Sequence, residues 1–187
     1  MADNEELLKK ASELIKAFSK EKEPEHLREA ALTLEEIDLK HIYVKGDRVR
    51  VRSEALVYWL IIIQTIDANL DPSFDLDESI PMNVSPPPLK DGTQLPPGAS
   101  PDKIDDPTKR EEYEKAVKEN RAKQEKHLIQ SQLYELNEPL TKRAEAFIQN
   151  NFAKNEEDRK TVQQAVERQI KNEQRKVSFL GLLESSK

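Results

Sequence analysis

No cysteine occurs among the 187 residues, which excludes a disulfide scaffold, a thiol nucleophile, a Cys-ligated metal and an iron–sulfur cluster. Only four glycines are present, too few for a collagen-like repeat. None of G-x-x-x-x-G-K-[ST], G-x-G-x-x-G or G-x-S-x-G occurs, so no phosphate-cradling loop or nucleophile elbow is written locally. The longest apolar run, Ala55 to Ile63, is about half of the roughly 20 residues that cross a bilayer, and no membrane span is expected. His26, His41 and His127 stand far apart, with no His-x₃-His pair to nucleate a zinc site. No metal, cofactor or catalytic residue is therefore expected. The opening residues, Asp3-Asn4-Glu5-Glu6 among them, are acidic where a signal peptide would be basic and then apolar, which reads as a cytoplasmic protein.

Charge, by contrast, is abundant. Charged residues make up 35% of the chain and the net charge is −6. Leu, Ile, Val and Phe together supply about a quarter of the residues, above the roughly 20% below which a chain cannot form a core. The charge is unevenly spread: residues 1–80 carry 11 basic and 18 acidic side chains, residues 108–187 carry 17 and 14. The acidic balance disfavours nucleic acid as a partner.

Periodicity predicts mostly helix. Leu7, Leu8, Ala11, Leu14, Ile15 and Phe18 recur at three- and four-residue spacings, and Pro24 suits the first turn of a second helix through Leu27, Ala30, Ala31 and Leu34. Over 38–52 the period changes to two. Ile42 and Val44, then Val49 and Val51, alternate with polar and basic residues around Gly46-Asp47, which predicts a β-hairpin. Residues 54–70 are apolar nearly all round and predict a central helix covered on several sides.

Eight of the eleven prolines fall between Pro81 and Pro107, and no period survives over 73–106. Ile80, Met82, Val84, Leu89, Leu95 and Ile104 are spaced through this stretch, which favours a strap pinned to a surface over a free linker. Asp106-Pro107 starts a long helix to about Asn137. Pro139 is expected to kink it or to start another, and Asn155-Glu156-Glu157 opens a last helix ending near Gly181.

Two groups of residues are candidate sites. Lys45, Arg48, Arg50 and Arg52 would share the basic face of the hairpin and could grip an anion, although a solvated outer strand is the simpler reading. Asn120, Gln124 and Gln132, on the inner side of the long helix, need hydrogen-bond partners. The carbonyls of the strap are the obvious supply, and a polar ligand pocket is the alternative. The acidic run Asp67, Asp71, Asp75, Asp77, Glu78 lacks the order of an EF-hand loop and reads as helix exit and turn chemistry.

The fold class expected is mainly α: a single-domain bundle of about six helices (1–37, 54–70 and 107–183) with one small hairpin at 38–52 and a long surface strap at 73–106. The function expected is a non-enzymatic helical protein that acts through a protein partner, as a monomer or weak homo-oligomer. An anion or nucleic-acid binder using the hairpin arginines, and an enzyme with a site beneath the strap, are the alternatives.

Overall fold

The computed structural model describes residues 3–152 and 154–184. Among them are six α-helices and no strand: α1 (Asn4–Glu21), α2 (Glu25–Glu35), α3 (Lys45–Asn69), α4 (Pro107–Phe152), α5 (Glu156–Gln169) and α6 (Glu173–Glu184). Two compact units emerge, Met1–Asp71 with Gln132–Lys187, and Pro72–Ser131. The chain of α4 passes from the second unit into the first.

In the first unit the core is built around α3. Its residues Ala55, Leu56, Leu60, Ile62, Ile63 and Ile66 are each fully buried, and it packs against α1, α2 and α5. The stripe read from α1 is buried as well, at Leu7, Leu8, Ala11, Ile15 and Phe18. Asp3 caps α1 by accepting from the Glu5 N–H, and Lys22 closes it at φ 57°, donating its N–H to the Phe18 carbonyl.

The hairpin expected over 38–52 does not form. Residues 39–41 make one 3₁₀ turn, and Lys45–Arg52 are the opening turns of α3, which starts nine residues before the expected position 54. An alternation of only five residues is weak evidence for a strand, and an isolated two-stranded hairpin is marginal in water. Burial shows which period prevailed: Val51 is buried against the bundle while Val49 is 42% exposed, so the two valines do not share a face. Extending α3 places Asp47 in its first turn, where the helix dipole favours a negative charge.

Two further boundaries differ from expectation. α4 continues through Pro139 to Phe152. An interior proline costs roughly 3 kcal/mol in a helix, but Leu133, Leu140, Ala144, Ile148 and Phe152 form one buried stripe across it and outweigh that cost. The expected last helix is instead two, because Ile170 ends α5 and the Asn172 side chain caps α6 by accepting from the Arg175 N–H.

In the second unit the strap lies along the N-terminal half of α4, in antiparallel sense. Arg110 donates to the Ile104 carbonyl (3.0 and 2.6 Å), the Tyr113 hydroxyl to Ala99 (2.9 Å), Asn120 to Pro81 (2.9 Å), and Gln124 to Pro81 and Met82 (2.8 and 3.0 Å). These four donors form one stripe of the helix. Pro86 and Ile104 are the buried strap residues, while Ile80, Val84 and Leu89 are half-buried and Met82 is exposed. Gly98, at φ +80°, turns the strap where a Cβ would meet the Asn83 side chain at 2.9 Å.

Ile62 tests whether α3 is the centre of its unit. Ile62→Ala should lower the unfolding free energy by roughly 2–5 kcal/mol in a denaturant titration, whereas Val49→Ala on the exposed side should change it by less than about 0.5 kcal/mol.

Candidate functional site

The first unit carries a groove of about 570 Å³ between the end of α2 and the C-terminal half of α4. Trp59, from α3, and Phe147 line it with ring centroids 6.4 Å apart. Leu34, Ile37 and Leu39 extend the apolar lining. Charges of both signs stand around it. Arg143 of α4 pairs with Glu35 of α2 at 3.3 Å, and Glu36, Asp38 and Lys40 follow in the turn after α2. Asn150 and Asn151 supply amides on the α4 side. The Trp59 indole Nε1 is buried and makes no hydrogen bond, a cost of about 1–3 kcal/mol for a donor shut away from water.

The three arginines read as one basic face point to separate partners. Arg48 donates to the Ile42 carbonyl at 2.9 and 2.6 Å, holding the turn that leads into α3. Arg50 pairs with Glu5 of α1 and, at 3.4 Å, with Glu54. Arg52 is largely buried: it donates to Asp158 of α5 (2.8 Å) and to the Asn151 carbonyl (2.7 Å), and lies 4.4 Å from the Phe152 ring centre. Removing either side of such a pair costs roughly 3–5 kcal/mol, because the other charge is left without compensation. Lys45 is exposed at the first residue of α3. The helical period explains this dispersal, since residues two apart project about 200° from one another.

Of the three amides, Asn120 and Gln124 meet on the Pro81 carbonyl in the second unit. Gln132 is exposed and belongs to the first. Tyr113, whose spacing also puts it on the inner side of the long helix, and Arg110, which was not singled out from the sequence, continue the same stripe of strap donors; the spacing of Arg110 from Tyr113 was the available signal.

The histidines serve neighbours. His26 lies 2.6 Å from Glu21, and that hydrogen bond raises its pKa. With Glu23 these groups come within 4.8 Å of one another, the donor set a divalent cation would use, exposed at the join of α1 and α2. His41 pairs with Asp38, whose carboxyl is lowered by that hydrogen bond. His127 lies against Phe74 with the rings tilted at 55° (centroids 5.1 Å apart) and has Ser131 Oγ 3.4 Å from its Nδ1. The Ser131 hydroxyl instead donates to the His127 carbonyl at 2.8 Å, so its proton is not offered to the ring as an activated nucleophile requires. In the acidic run, Asp67 forms a two-point pair with Arg175 of α6 (3.0 and 3.1 Å), and Asp75 accepts from the Asp77 N–H.

The Arg50–Glu5 pair gives a titration test of this placement. The Arg50 hydrogen bond holds the Glu5 carboxyl below its ordinary value of 4.5. Its contribution to stability is therefore complete above that value and is lost as the pH falls through the lower, folded one. A carbon-detected NMR titration should show a depressed Glu5 midpoint that returns to the ordinary range in Arg50→Ala. A midpoint indifferent to the substitution would contradict the pairing.

No family model matches the chain, no curated protein is similar to it in sequence, and no solved structure is similar to it in fold.

Proposed function

We propose that this chain is a non-enzymatic interaction protein that recognises a segment of a protein partner in the groove beside Trp59. The supporting observation is the composition of that groove: an aromatic and aliphatic lining, charges of both signs and two asparagines. A small anion would call for an excess of one sign. A polypeptide segment offers apolar side chains for the lining, mixed charges for the rim and backbone groups for the exposed amide of Asn150. Trp and Arg are also the residue types on which binding energy concentrates at protein interfaces. The anion-binding alternative draws less support, because Arg48, Arg50 and Arg52 each engage a group of the chain itself and do not converge.

Because Trp59 is the one tryptophan in the chain, its emission reports on the groove directly. Peptides selected on the immobilised chain should bind with micromolar affinity and shift that emission. Ala146 lines the groove and is exposed, so Ala146→Arg should obstruct it without disturbing the core and weaken binding at least tenfold. Peptides that bind the variant as tightly as the parent, or selection that enriches none, would overturn the proposal.

A further inference from the structure

We propose that the second unit holds a binding site for a small molecule with one carboxylate group that also carries hydroxyl or ammonium donors. This rests on a cavity distinct from the groove. A cleft of about 360 Å³, open on one side to solvent, lies between the strap and α4 and is lined entirely by residues of this unit. That volume falls within the range of small-molecule sites, and holds about ten non-hydrogen atoms at about 30 Å³ for each water-sized group.

The lining sets the chemistry of the occupant. Val84, Ala99 and Val117 provide apolar wall, and Arg121 contributes the one formal charge. Arg121 is exposed at the cavity and makes no hydrogen bond or ion pair among the described residues. Its planar fork matches a carboxylate at two points. A phosphate dianion would bring a second charge that no second cation of the lining can pair, beside acceptor oxygens that repel it.

The remaining polar groups select the other end of the ligand. Carbonyl oxygens can only accept, so the contacts to Pro81 and Met82 fix the Asn120 and Gln124 side chains with their N–H groups turned to the strap. Their amide oxygens are left as acceptors. The Tyr113 hydroxyl likewise gives its proton to Ala99 and keeps its lone pairs. One cation beside several acceptors suits a molecule with a carboxylate and nearby O–H or N–H donors, as in a hydroxy acid or an amino acid. The strap thus has a second role: by occupying the amide donors it turns the helix stripe into an acceptor surface.

The test is a titration of the full chain followed by nitrogen–proton NMR, with D-glycerate and L-serine as probes. Acetate (no donors), glycerol (no charge) and inorganic phosphate are the controls. Glycerate or serine should give saturable shifts at the Arg121 Nε–H and the Asn120 and Gln124 side-chain amides, with affinity at least tenfold above acetate and glycerol. Arg121→Gln should weaken binding at least tenfold while leaving the circular dichroism spectrum unchanged. Were that variant to lose its fold, Arg121→Lys, which keeps the charge but not the fork, should still weaken binding at least threefold. No saturable shift with either probe, or affinity unchanged in the folded variant, would overturn the site. Acetate binding as tightly as glycerate would overturn the donor requirement, and phosphate binding more tightly would overturn the carboxylate assignment.

Discussion

A helix with an apolar face as broad as that of α3, from Val51 through Ile66, is stable in water only where other helices cover that face, and α3 imposes that requirement on its unit. Burying Leu56, Leu60, Ile62, Ile63 and Ile66 together demands cover from several directions, and α1, α2 and α5 supply it in part. Each buried aliphatic side chain contributes about 1.5–3 kcal/mol, far more than any exposed ion pair on the outer surfaces. The polar ties at the two ends of α3 then fix its neighbours. Arg52 reaches Asp158 of α5 near the start, and Asp67 reaches Arg175 of α6 near the end. The groove lies over the buried Trp59, beside Phe147 and the end of α2.

The second unit solves a different problem. A proline-rich segment forms neither helix nor sheet, so its carbonyls lack the regular partners that secondary structure provides. The prolines lower the entropy lost on ordering by fixing φ near −65°, and α4 supplies donors from a single stripe to meet the carbonyls. The pairing is economical, since Gln124 alone serves two of them. It also leaves the acceptor atoms of those amides uncommitted, which is the basis of the ligand chemistry assigned to the cavity.

Much of the helical architecture was legible in the sequence, because an apolar stripe every three to four residues has one inexpensive reading. The stripes of α1 and α2 and the broad buried face of α3 belong to this class, as do the strap and the Asp106-Pro107 start of α4, whereas Val57, Tyr58 and Ile61 on the other side of α3 are only half-buried. What failed was local and short. The Arg-Val alternation at 48–52 has strand periodicity, yet Arg48 turns back six residues to Ile42 while Arg50 and Arg52 find partners far away in sequence, at Glu5 and Asp158, which no local pattern encodes. Pro139 carries a strong stop signal that the buried stripe from Leu133 to Phe152 overrides. Asn172 was a readable cap that divided the last helix. The groove was invisible for a related reason: its lining comes from residues 34–40, Trp59 and 143–151, three segments that only the fold brings together.

The claim that α3 organises the first unit is tested most directly by native-state amide hydrogen exchange. If its cover is complete, amides from Leu56 to Ile66 open only when the whole unit unfolds, and their protection will equal the global unfolding free energy. Amides in α6 will exchange through smaller, local openings. Exchange of the 56–66 amides faster than those of α6, or unequal to the global value, would show that the unit is held together elsewhere and would contradict the account.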